Sequence, residues 1–221
     1  MRGSSGSAGG GAAEVSPSHP VGGDGLHPDA ILTLTVWKPV SQSHMLRTWA
    51  MAEVVNPRWA PNLAGVQWPA TLRAKMDAGQ WNALTEDEWL VVEHVLLRLR
   101  APLLDGLLPL QPKWYEGEFA IVVVAEMGFM RFKKKTPASG RLADYAEDER
   151  GTQAREPEFI RARMVGVPVA VGPSLEGRLI LVEGYTRCCC ALRDHNTGLY
   201  DGLPMPMVVG VTERIQEWAR W

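Results

Sequence analysis

Between residues 86 and 100 the apolar positions Trp89, Val92, Val95, Leu96 and Leu99 recur at spacings of three and four, the repeat of a helix that buries one face. Thr85-Glu-Asp-Glu88, just before it, has the Thr-x-x-Glu form of a capping box, so the helix is expected to start at Glu86. Shorter helices are expected over 46–54 and 70–79. Pro57, Pro61 and Pro69 interrupt the chain between them, and Pro102, Gly106 and Pro109 break it again before Trp114. The pattern then changes. Residues 119–125, Phe-Ala-Ile-Val-Val-Val-Ala, form a β-branched run between Gly117 and Gly128 and predict a buried strand. A short strand is expected over 31–37, stopped by Lys38-Pro39. In the last third the order is a helix over 158–164, a strand over 165–171, a turn at 175–178 and a strand over 179–182. A glycine turn follows, then a helix over 185–194, a strand over 204–211 and a final helix capped by Thr212. This succession predicts an α+β fold.

Residues 1–30 are dominated by Gly, Ser, Ala and Pro, which carry too little apolar surface to offset the entropy of ordering them, and a disordered tail is expected there. The remaining length is that of one ordinary domain. A helical extension is expected over 31–112 and the α+β domain over 113–221. The chain of 221 residues is 46% hydrophobic and 22% charged, as in soluble globular proteins. A net charge of −2 gives no overall field toward nucleic acid, so a DNA contact would need a local basic patch. No run of eighteen apolar residues is present, so no membrane partner is expected. The three cysteines are adjacent, Cys188 to Cys190, which rules out a disulfide framework and points to a reducing, cytoplasmic setting.

The informative chemistry lies where strand 179–182 runs into Glu183-Gly-Tyr-Thr-Arg187 and a helix. A glycine after a strand permits a sharp turn and close ligand approach. The first turn of the helix offers unpaired N–H groups and the positive end of its dipole to an anion. Arg187 can add a bidentate grip and Thr186 a hydroxyl. Glu183 is then placed to meet a metal that accompanies a phosphate, or to act as a general base.

Val167-Pro-Val-Ala-Val171, the stretch from Glu176 through the Glu183-Gly-Tyr-Thr-Arg187 turn to Leu192, and the Pro204-led strand together resemble the ParB/sulfiredoxin superfamily. The resemblance covers roughly fifty residues. It implies a ParB/sulfiredoxin-like mixed sheet with flanking helices, with the strand at 119–125 as its opening strand. It also implies a nucleotide-phosphate site, with Gly184 and Arg187 on the phosphates, Tyr185 and Thr186 completing the turn, and Glu183 in the acidic position used catalytically in the kinase branch. ATP or CTP with Mg2+ is the implied cofactor set, with Glu183 as a metal ligand. Two departures narrow the outcome. Tyr185 stands where sulfiredoxins have their reactive Cys, and Thr186 stands where many members have His. With the chain closing at Trp221, the helix-turn-helix domain that follows in partition proteins is not expected.

The expected activity is therefore a nucleotide-dependent phosphotransferase or hydrolase. The alternatives are a non-catalytic CTP- or ATP-sensing module of a plasmid, phage or partition system, and a nuclease steered to DNA by Lys133, Lys134 and Lys135. A nucleotide, DNA and a second copy of the chain are the candidate partners. Other groups fit simpler roles. His195, beside Asp194 and Asn196, suits a helix C-terminus. His44 and His94 have no ligand neighbours at metal spacing. Cys188 to Cys190 suit packing, and Glu147, Asp148 and Glu149 suit a solvated loop that could supply a metal ligand.

Overall fold

The computed structural model describes residues 36–54, 56–130, 139–146, 166–198 and 202–221. The expected tail, most of the 31–37 strand, the charge runs at 133–135 and 147–149 and the helix at 158–164 lie outside the described residues.

The protein is a mixed α+β structure built on a six-stranded sheet. Strand β1 (Lys38–Val40) leads into helices α1 (Gln42–Val54), α2 (Ala60–Leu63), α3 (Ala70–Asp77), α4 (Glu86–Leu99) and α5 (Ala101–Leu107). Strand β2 (Lys113–Phe119), helix α6 (Ile121–Glu126), strand β3 (Gly128–Phe129) and helix α7 (Leu142–Ala146) follow. The described chain closes with β4 (Val169–Gly172), β5 (Ile180–Glu183), α8 (Tyr185–Asn196), β6 (Met205–Val211) and a 3-10 turn (Glu213–Glu217). The sheet order is β1-β2-β6-β4-β5-β3. The β4–β6 and β3–β5 pairs are parallel and the others antiparallel.

Period-two alternation along the strands gives each face of the sheet its own core. Val169, Val171, Ile180, Val182 and Val208 face helices α1, α3, α4 and α5, in one buried cluster with Trp49, Leu72, Leu96 and Leu104. Ala170, Leu181, Met207 and Val209 face the other way, against Ile121 and Val124 of α6, Leu142 of α7 and Cys188, Cys189 and Leu192 of α8. The helices of residues 42–107 thus share a core with the sheet, and β1 from the same region extends it by pairing with β2.

Helix α4 starts as its sequence dictates. The Thr85 hydroxyl accepts from the Glu88 N–H at 3.3 Å and the Glu88 carboxylate accepts from the Thr85 N–H at 2.8 Å, a complete capping box. Such a cap contributes about 1 kcal/mol. The β4–β5 hairpin, the glycine turn, α8 and β6 also form where expected, although β4 starts at Val169, inside the expected 165–171 strand.

Four expectations are corrected. The strand of this region is Lys113–Phe119, and most of the β-branched run that predicted a strand at 119–125 is helix α6. Pairing of β2 with β6 ends at Phe119 opposite Met205, and helical spacing then carries Ile121 and Val124 into the same core as Phe119, so tertiary packing overrides β-propensity. Lys38-Pro39 begins a strand where it was expected to stop one. Proline is tolerated because β1, among the described residues, is an edge bonded only to β2. Pro102 sits in the first turn of α5, where its missing N–H costs nothing, so the chain continues as helix through Gly106. Thr212 caps a short 3-10 turn in place of a longer helix, its hydroxyl accepting from the Arg214 N–H at 3.3 Å.

Candidate functional site

Strand β5 ends at Glu183 and Gly184 turns the chain into α8. Gly184 has φ +91°, and a Cβ there would lie 2.7 Å from the Pro168 Cβ, so glycine is required both by conformation and by space. The sheet adds a second local device. Opposite Val169 and Ala170 the register with β5 shifts, so that Val169 pairs with Glu183 and Ala170 with Leu181. The extra residue places Glu183 level with Val169, on the face that carries α1 and α4. Bulges re-aim side chains in this way.

That face holds the groups Glu183 meets. Arg187, one turn into α8, brings its Nη2 to 3.4 Å from the Glu183 Oε1, and its Nη1 donates to the Gly166 carbonyl. Arg100, at the end of α4, brings its Nη2 to 3.8 Å from the Glu183 Oε2. The same guanidinium grips Glu53 of α1, its Nε lying 2.9 Å from the Glu53 Oε1. The Trp49 indole donates to that same oxygen at 3.1 Å. Glu53 is 1% exposed, and among the described residues no group donates to its second oxygen while Glu183 is ionised.

Two carboxylates and two guanidiniums thus form one buried chain. Its electrostatics do not cancel at Glu183. Burial, reinforced by the neighbouring Glu53 carboxylate and only partly offset by Arg187 and Arg100, pushes the Glu183 carboxyl up to about 7. The side chain keeps 19% of its surface, which opens on a cavity while protein closes round the rest of the group.

The cavity, about 240 Å³, lies against the turn from Glu183 to Arg187. Its charged lining is Glu183 with Arg58, Arg100 and Arg187, and Asn56 adds an amide. Leu103, Met130, Tyr145 and Val182 provide apolar wall. Guanidiniums and the amino end of α8 make this a space for an anion. The donor set suits a divalent cation less well. Both Glu183 oxygens already face guanidiniums, and no group of three or more His, Cys, Asp or Glu side chains able to hold a metal occurs among the described residues.

The five residues expected at the turn lie together along this cavity, but in different roles. Tyr185 acts mainly as a brace. Its hydroxyl donates to the Leu181 carbonyl and accepts from the Met130 N–H at 2.9 Å, and its ring meets Tyr145 edge-on at 6.0 Å. Burial pushes its phenol up, away from any proton transfer near neutrality. Arg187, expected to be held open for a ligand, is shared with Gly166 and Glu183. Cys188 and Cys189 are packed beneath the sheet, and burial pushes the Cys188 thiol up, opposite to activation. His195 lies exposed in the last turn of α8, where the Gly198 N–H donates to its carbonyl.

The sequence reading missed Glu53, Arg58 and Arg100. A signal for two of them existed. Glu53 stands four residues after Trp49 and Arg100 four after Leu96, so each continues the buried stripe of its helix with a charge.

No family model, curated protein or solved structure matches this chain. Among the described residues no helix is long and apolar enough to cross a membrane.

Proposed function

We propose that the protein is a nucleotide-dependent phosphotransferase or hydrolase of ParB/sulfiredoxin-like type, in which the phosphates of ATP or CTP occupy the cavity against the Gly184–Arg187 turn. The observation that carries this reading is the convergence of three guanidiniums, the amino end of α8 and one near-neutral carboxyl on a single cavity. Peptide N–H groups of the turn hold phosphate oxygens, and Arg187 exchanges its contacts with Gly166 and Glu183 for the ligand. Glu183 removes the proton of an acceptor hydroxyl or water, since a base is most effective when its pKa lies near the working pH. Arg100 and Glu53 hold it in place. The guanidiniums that line the cavity offset the charge of the phosphates.

A second reading, nucleotide sensing without turnover, is favoured by one specific contact. Arg187 holds the Gly166 carbonyl, and Gly166 is packed tightly on the backbone of α1 at Thr48. A phosphate that recruits Arg187 therefore releases α8 from the segment before β4 that packs on α1, a change that a partner can read.

The test is a thermal-shift series with ATP, ADP, CTP and GTP, with and without Mg2+, followed by turnover of labelled nucleotide. A ligand at 100 times its Kd stabilises the folded state by about 2.7 kcal/mol. One nucleotide is expected to raise the melting temperature of the native protein but not of Arg187→Ala. Turnover that is lost in Glu183→Gln supports catalysis, and binding without turnover supports sensing. The absence of any shift with all four nucleotides would remove the proposal.

A further inference from the structure

The α8 turn accounts for only part of the cavity. Arg58 and Arg100 also line it, and both come from the region before β2, outside the part of the chain that carries the resemblance. They are held side by side on one indole. The Arg100 guanidinium lies 4.5 Å from the Trp59 ring centre and that of Arg58 lies 5.3 Å from it. A cation over an aromatic ring is attracted without its charge being neutralised. Glu53 compensates Arg100. Arg58 makes no ion pair with any described residue; its backbone N–H donates to the Asn56 side chain at 3.1 Å, which pins its position at the cavity.

Three guanidiniums, Arg58, Arg100 and Arg187, against two carboxylates, Glu53 and Glu183, leave a positive charge at the cavity, and a bound anion relieves it. Arginine forks are also suited in geometry to phosphate oxygens.

We infer that Arg58 and Arg100 form a second anion subsite, so that the ligand of this cavity carries at least two linked phosphates and spans from the α8 turn to Trp59. The inference rests on the reading that the first phosphate lies on the α8 turn. It adds that Arg58 sets the preference for a di- or triphosphate over a monophosphate.

The probes are inorganic phosphate and pyrophosphate, measured by calorimetry on the full chain. The wild-type protein is expected to bind pyrophosphate more tightly by about tenfold or more, the size of one charge-assisted hydrogen bond. Arg58→Ala should lower pyrophosphate affinity by a larger factor than phosphate affinity, bringing the two together, and Arg58→Lys should restore part of the difference. Because Arg58 is exposed, the variants should keep the wild-type melting temperature. Arg98→Ala, an exposed change on α4, controls for net charge and should leave the ratio as it was. A pyrophosphate-to-phosphate ratio unaltered by Arg58→Ala, or no preference in the wild type while phosphate still binds, overturns this inference alone. Failure of both probes and of all nucleotides overturns the phosphate site itself.

Discussion

Two clusters of Glu and Arg draw on the same pair of helices, α1 and α4, the second joined by Glu183 of β5 and Arg187 of α8, and they behave in opposite ways. In the first, Arg47 bonds Glu93 at 2.7 Å and Glu86 at 3.0 Å, lies over the Trp89 ring at 5.4 Å, and shares Glu93 with the Ser43 hydroxyl at 2.6 Å. Glu86 is 77% exposed. Hydrogen bonding raises the Arg47 guanidinium and lowers the Glu86 carboxyl, so each partner stabilises the charged form of the other. In the second, Glu53 and Glu183 are buried together around Arg100 and Arg187, one oxygen of Glu53 has no donor among the described residues while Glu183 is ionised, and the Glu183 carboxyl is pushed up. The residue types are the same. The difference lies in access to solvent and in pairing: Glu93 is buried as well, but Ser43 and Arg47 both meet it and the Glu86 arm of its cluster stands in water. Near water, opposite charges are screened and easily satisfied, whereas out of it an imperfect arrangement is costly and persists only where the surrounding structure holds it. The second cluster is therefore the one that marks a site.

The sharpest test of this contrast is Arg100→Met. It strands Glu53 without its guanidinium and is expected to cost about 3–5 kcal/mol in urea unfolding, the range for breaking a buried pair. Adding Glu53→Gln should recover much of that loss. A cost below about 1 kcal/mol would show that the buried cluster is no tighter than a surface one.

An intermediate effect is expected from pH. The Glu183 carboxyl titrates at about 7 in the folded state against 4.5 ordinarily. The folded protein therefore retains a proton that the unfolded chain has released, and the wild type should lose stability as pH rises from 4.5 through 7. Glu183→Gln lacks that group, so the difference in stability between wild type and variant should change across this window and level off above it. Parallel curves would mean that Glu183 ionises like an exposed carboxylate.

The smallest effect belongs to the first cluster. Arg47→Met should cost about 1–2 kcal/mol, more than an exposed pair because Glu93 is buried, and less than Arg100→Met because Ser43 still reaches Glu93 and Glu86 stays in water. A loss as large as that of Arg100→Met would erase the distinction between the clusters.

Much of the turn was legible beforehand because its signals are local. Glycine after an apolar strand, followed by residues able to open a helix, specifies β5, Gly184 and α8 with no distant partner. The capping box at Thr85 is equally self-contained. The β-branched run after Phe119 misled because whether Ile121 and Val124 belong to a strand or a helix depends on where β6 begins, at Met205, far along the chain. Glu53 and Arg100 escaped notice because they meet across 47 residues, and their contact with Glu183 depends on a register shift that no pattern in β4 or β5 announces.

Sequence alone determined the α+β class, the main helix starts, the β4–β5 hairpin and the glycine turn with its arginine, since propensity, periodicity and capping act over one or two turns of chain. The tertiary structure decided which face Glu183 presents, which charges surround it and that a cavity opens beside them. Those properties come from burial and from long-range pairing, and a carboxyl's affinity for its proton is set by everything packed around it in three dimensions.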